Sequence, residues 1–256
     1  VLILLPPSEG KAAVGARRPV DLDRLALPAL TPARERVLDA LVGLCAAPDA
    51  GPALAALGLG EGQRGEVARN ARLREAGALP ASRLYTGVLY AALDLPTLPA
   101  PARRSILIFS GLWGVVRPGD RIPPYRCPIG ATLPAVGALS AYWKKGLSGA
   151  VEEAAGGGPV LDLRSSAYAA AWRPTGRLAE RTATVRVLHE RIVDGERRRS
   201  VVSHFNKATK GRLLRDLLTA GPAPRSRARL ADALRDLKYT VEELAPGRLD
   251  VVVTQL

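Results

Sequence analysis

Four segments hold more polar and turn-forming residues than a bare scaffold needs. In PPSEGK, Ser8, Glu9 and Lys11 directly follow an apolar run, and the end of a strand is a common place for a site. The segment is not a phosphate-cradling GxxxxGK[ST] loop, because the upstream glycine is missing and Ala12 replaces Ser/Thr. In SGLWGVVRPGDRIPPYR, Gly111, Gly114, Gly119 and three prolines frame Arg117, Asp120, Arg121, Tyr125 and Arg126. Arginine forks on a stiff frame suit phosphate or carboxylate. The bland alternative is an ordered loop whose Asp120 pairs with an arginine.

In DLRSSAYAAAW, Ser165 and Ser166 either cap a helix or meet a phosphate at its first turn, with Tyr168 beside them. In SHFNKATKGRLLRDLL, Asn206 is a cap candidate, and Lys207 and Lys210 share one helix face. Those lysines either bind an anion, move protons if desolvated, or form a solvated basic face. No catalytic residue is fixed by the sequence; Lys11, Lys207, Tyr125 and Ser165 are the candidates, with Lys11 or Lys207 as the acid/base. Cys127 follows Arg126, which either activates its thiol toward peroxide or merely neighbours a space-filling side chain. A core position fits His204 better than a catalytic one. No GxSxG motif occurs, and the adjacent Glu152–Glu153 and Glu242–Glu243 diverge too much for paired carboxylate chemistry.

A fifth segment, Ala53 to Leu73, places Leu57-Gly58-Leu59-Gly60 between two helical stretches. This is the core of a candidate helix-hairpin-helix at about 53–76, whose backbone N–H groups would approach a phosphate without reading bases. Arg64, Arg69 and Arg72 would then track the strand.

Elements must position these groups. Val1 to Leu5, Ser105 to Phe109 and Pro159 to Leu163 read as buried strands. Helices are expected at Pro32 to Ala46 with Thr31 as N-cap, Ala53 to Leu59, Glu66 to Ala76, Ala138 to Ala155, Asn206 to Leu218 and Arg227 to Asp236. Ser110 to Pro134 reads as a loop. Thr184 to His189 and Ser200 to Phe205 form a hairpin candidate around Asp-Gly, with GERRR lengthening its loop. Tyr239 to Glu243 and Leu249 to Thr254 form a second. Mixed elements with late hairpins predict an α+β class in one interleaved domain spanning 1–256.

The 256 residues, 47% of them hydrophobic, suffice for one large core. No apolar run reaches the ~18–20 residues that span a bilayer. VLILL is too short for a signal-peptide core, so a cytoplasmic, non-membrane protein is expected. Two cysteines and two histidines argue against a disulfide framework, a metal site or tight iron binding. Nothing implies a cofactor or an obligate protein partner. The net charge of +13 favours polyanions: nucleic acid, nucleotides, phosphates or anionic lipid. Arginine outnumbers lysine 31 to 6, so coding composition explains the excess equally well.

VLILLPPSEGK, LYTGVL, SGLWGVVRPGDRIPPYR, SAYW, VLDLRSSAY and SHFNKATKGRLLRDLL, in that order, resemble the YaaA family of bacterial peroxide-stress proteins. PPSEGK departs from the family's commoner SPAKT opening, and residues 45–75 match poorly. The resemblance implies a mixed single-domain fold with a positively charged cleft. It also implies a DNA-associated role in limiting iron- and peroxide-driven damage, with a helix-hairpin-helix element. It brings no established catalytic residues.

Two functions follow. In the first, DNA phosphates meet Lys11, Arg117, Arg126, Lys207 and Lys210, with Arg64 and Arg69 near the hairpin. In the second, an enzyme takes a small anionic or nucleobase-like ligand. Ser8, Tyr85, Asp120, Tyr125, Ser165 and Tyr168 look like a prebuilt pocket, which scattered phosphate contacts do not need.

Overall fold

The computed structural model describes residues 1–15, 17–193, 195–201, 203–221 and 224–254, with backbone only at 203 and 204. Its centre is an eight-stranded sheet. In chain order the strands are β1 (Leu2–Leu5), β2 (Ile106–Ser110), β3 (Gly114–Val116), β4 (Val160–Asp162), β5 (Thr182–Val193), β6 (Glu196–Ser200), β7 (Thr240–Ala245) and β8 (Arg248–Val253). Across the sheet the order is β7-β8-β5-β4-β1-β2-β3, with β6 paired to β5.

The strands β8, β5, β4, β1 and β2 run parallel, in registers such as Ile3 with Ile106 and Leu2 with Val160. β3, β6 and β7 are antiparallel. The α+β expectation is thus corrected to a mixed α/β fold with a mainly parallel sheet. Parallel partners here lie far apart in sequence, and apolar runs carry no sign of strand direction. The late hairpins supply only edge and protruding strands. β1 and β2 are buried at every position, as central parallel strands covered on both faces must be.

Around the sheet lie α1 (Thr31–Cys45), α2 (Gly51–Leu57), α3 (Arg64–Ala71), α4 (Val88–Leu93), α5 (Leu139–Ala155), α6 (Ser166–Ala171), α7 (Ser203–Thr219) and α8 (Arg227–Asp236). Trp113, Trp143 and Trp172 fill the core, and Trp143 Nε1 donates to Gly111 O at 2.8 Å. α7 packs closely on α4 because Gly211 leaves room. A Cβ there would stand 2.4 Å from Leu89 O.

Several local expectations change. Thr31 lies inside α1, because a 3-10 turn at Pro28–Leu30 runs straight into it. Asn206 is likewise inside α7 and does not cap it. Phe205 belongs to α7 rather than to a strand, and the side chain of His204 lies outside the described residues. GERRR is no loop extension: Glu196 pairs Val193, so its Glu-Arg-Arg-Arg is the second strand itself. Asp194 of that turn also lies outside the described residues. Asp120 accepts from the backbone N–H of Arg117 at 2.9 Å and of Ala26 at 3.1 Å, and among the described residues it pairs with no guanidinium.

Candidate functional site

The chain leaves β1 toward β2 and leaves β4 toward β5, on the opposite side of β1. A crevice therefore opens beyond the carboxyl ends of β1 and β4. Such a switch point is where open parallel sheets hold their ligands. A cavity of about 500 Å³ lies there. The loop after β1 contributes Ser8 and Lys11, and the segment after β4 contributes Ser165 and Tyr168. The long loop after β3 contributes Tyr125 and Arg126, and α7 contributes Lys207.

Close packing fixes the loops. Gly87 has φ +100, and a Cβ there would stand 2.8 Å from Ser8 Oγ. A Cβ on Gly111 would stand 2.3 Å from Cys127 O, so the end of β2 and the 127–129 wall touch backbone to backbone. Lys11 forms an isolated bridge with Tyr85. Its Nζ donates to Ser8 O at 2.9 Å and lies 4.3 Å from the centre of the Tyr125 ring. Burial first, and then the charge of Arg126, lower its pKa from 10.5 to about 8. It is therefore a cation that releases its proton near neutral pH, as proton-transfer lysines do.

Beneath Lys11 runs a hydroxyl chain. Ser110 Oγ accepts from the N–H groups of Leu112 at 3.2 Å and Trp113 at 3.0 Å. With both lone pairs taken, its proton goes to Tyr125 Oη at 2.6 Å. Tyr125 Oη lies 2.8 Å from Tyr85 Oη. Burial holds Tyr85, Tyr125 and Tyr168 well above the usual phenol range, so all three stay protonated.

Other candidates lie elsewhere. Arg117 turns to Arg104 O, outside the cavity. Lys210 is half-buried and does not line the cavity, and its Nζ donates to Leu163 O at 3.3 Å beside the ion pair of Asp162 and Arg164. Ser166 is exposed, and Ser165 at the N-cap of α6 makes no side-chain capping bond. Arg64 pairs with Glu61 at 2.5 Å and Arg69 with Glu66 at 2.7 Å. Arg69 and Arg72 line a second cavity of about 490 Å³ on another side of Lys11. In the Gly-Leu-Gly turn, Gly58 N–H donates to Ala55 O, Leu59 N–H to Leu54 O and Gly60 N–H to Gln63 Oε1. Burial pushes the Cys127 thiol up, which favours the space-filling alternative.

Sequence reasoning missed Ser110 and Asn70. Asn70 is fully buried and clamps Arg126 from both sides. Its Nδ2 donates to Arg126 O at 2.7 Å, and its Oδ1 accepts from Arg126 N–H at 3.0 Å. An Asn inside a helix was the one available signal, since its propensity there is poor.

The sequence model of a family described as peroxide stress protein YaaA matches residues 1–244. A UPF0246 protein of Streptomyces coelicolor is 56% identical over 266 residues, covering 100% of both chains. A UPF0246 protein of Corynebacterium efficiens is 39% identical over 244 residues, covering 94% of this chain and 95% of its own.

Proposed function

This chain belongs to the peroxide stress protein YaaA family, and from that premise we propose that its switch-point cavity takes a small ligand carrying a planar ring and an anionic group, of the nucleotide class. Lys11 exchanges a proton with that ligand, Arg126 and Lys207 meet its negative charge, and Tyr168 offers an aromatic wall. The observation that carries this reading is the placement of Lys11. A half-desolvated amine stacked on Tyr125 at the wall of a pocket is costly for a fold to keep, and perturbed lysines in clefts mark sites of chemistry. A cavity of about 500 Å³ suits a ligand of that size and is too small for a duplex.

A second reading keeps DNA as the partner, bound through its phosphates and shielded from peroxide-driven damage. The net charge of +13, with exposed Lys207 at the same cavity, favours it. In that reading the candidate hairpin at 53–76 must open, because its turn amides are already bonded internally.

One titration separates the two. A labelled 25-mer duplex is measured at three salt concentrations with nucleotides and nucleobases as competitors. The pocket reading expects one small ligand to bind saturably and to be lost in Lys11→Met. Salt-steep duplex binding that no small ligand displaces, with log K falling against log salt at a slope of about 0.9 per phosphate neutralised, would replace it by the DNA reading.

A further inference from the structure

Arg126 is held unusually for a surface-reaching arginine. Its backbone is clamped by Asn70, and its side chain is only 20% exposed. Nη1 meets Glu9 Oε2 at 3.1 Å, while Glu9 itself is 85% exposed. Nε is buried and, among the described residues, has no hydrogen-bond partner. A buried donor without an acceptor costs stability, so the fold holds this guanidinium in place at a cost. The guanidinium fork takes anions best through two parallel bonds. Glu9 supplies one.

The neighbourhood holds both cations and carboxylates. Arg126 is close enough to Lys11 to lower its pKa, so two cations repel across the cavity wall. The carboxylates of Glu66 and Glu9 oppose that effect less strongly. The loop bearing Glu9 is stiff, with Pro6 and Pro7 before it and Ser8 packed against Gly87. The backbone therefore stays in place while the exposed Glu9 side chain is free to swing. An ion pair with so exposed a partner is worth little.

We propose that Arg126 is an anion seat, held in the free protein by the Glu9 carboxylate as an internal stand-in. A phosphate or carboxylate of the ligand displaces Glu9 from Nη1 and takes the terminal Nη1–Nη2 edge with two parallel hydrogen bonds. The seat names where the anionic group of the ligand goes, and in that respect it rests on the pocket reading above. It also gives Glu9 a role as a competitor that sets the threshold affinity for anions.

The test is calorimetric titration of three probes, inorganic phosphate, a nucleoside and its 5′-monophosphate, into the wild type, Glu9→Gln and Arg126→Lys. Thermal melts of each variant establish that it is folded, and Arg126→Lys keeps both the charge and the backbone clamp. Removing the stand-in is expected to tighten phosphate and the monophosphate by about two- to fivefold and to leave the nucleoside unchanged. Losing the fork is expected to weaken the monophosphate by about tenfold. If Glu9→Gln leaves phosphate and monophosphate affinity unchanged or lower, the stand-in is overturned, while nucleoside binding would still uphold the pocket reading. If Glu9→Gln tightens phosphate but no form binds the nucleoside, the seat stands and the ring-binding reading falls. If no probe binds any form, both fall.

Discussion

Two regions of this molecule are rich in cations and treat them in opposite ways. On α3 and its approach, Arg64, Arg69 and Arg72 are solvent-reaching and each has a carboxylate three residues away. At the switch-point cavity, Lys11 is desolvated and Arg126 has a buried Nε without a partner among the described residues. The backbone follows the same division. The amides of the Gly-Leu-Gly turn are consumed inside the turn, whereas the loops around the cavity are pinned by contacts from distant elements. Net charge is shared by both regions and so locates neither. What distinguishes the cavity is the cost of holding charge there.

The sharpest way to break this contrast is at the contact that builds the cavity wall. Gly111→Ala drives a Cβ into Cys127 O and the 128–129 backbone. Neither side is a flexible side-chain end, so a loss of roughly 3 kcal/mol is expected. That is a fall of about 10 °C in Tm for a chain this long, with loss of ligand binding, followed by calorimetry. An unchanged Tm would mean the wall is softer than its packing implies.

Next comes the cost of the Lys11 charge. Its folded pKa of about 8 lies below the usual 10.5. Below about pH 8 both folded and unfolded chains carry the proton, so the burial cost is fully present. From about pH 8 to 10.5 the unfolded chain holds the proton more strongly, so this group makes stability rise with pH. Lys11→Met should therefore gain roughly 1–2 kcal/mol at pH 7, after the lost bond to Ser8 O is counted, and the gain should shrink to nothing by about pH 10.5. Melts across that range check it. Acylation of the Lys11 amine followed by mass spectrometry should show a midpoint near pH 8.

Tyr125→Phe probes the hydroxyl chain under Lys11. It leaves the ring in place and removes the partner of Ser110 and Tyr85. A loss of about 1–2 kcal/mol is expected, seen as a Tm lower by about 3–6 °C. An equal or greater stability would show that the chain is a burden kept for function. The smallest effect is expected at Arg64→Ala, whose pair with Glu61 is exposed. Neither Tm nor small-ligand affinity should move measurably. A clear drop in duplex binding with a flatter salt slope would instead bring the α3 region into the function.

Several residues that line the switch-point cavity were singled out by the sequence, because polar groups at a strand end leave a local signature. Ser8, Lys11, Tyr125, Arg126, Ser165, Tyr168 and Lys207 stand among glycines and prolines, or in helical turns next to apolar runs, and all reach one cavity. Arg117 and Lys210 carry the same local signature and go elsewhere, onto Arg104 O and Leu163 O. Local sequence does not say which way a long side chain turns when two carbonyls compete for it. Ser110 and Asn70 were not legible as site residues, since their roles depend on Tyr125 and Arg126, 15 and 56 positions away.

The sequence by itself determined the buried strands, most of the helices, the stiff loops that follow β1 and β3 and the family, because each depends on neighbours within a few turns of chain or on whole-segment similarity. The tertiary structure alone decided that the central strands run parallel, that β1 lies between β2 and β4, and that their ends enclose a cavity. It alone decided which cations are paired at the surface and which are desolvated. The reason is that strand order and burial are set by contacts between segments a hundred residues apart, and it is burial, rather than residue type, that lowers a lysine's pKa to about 8.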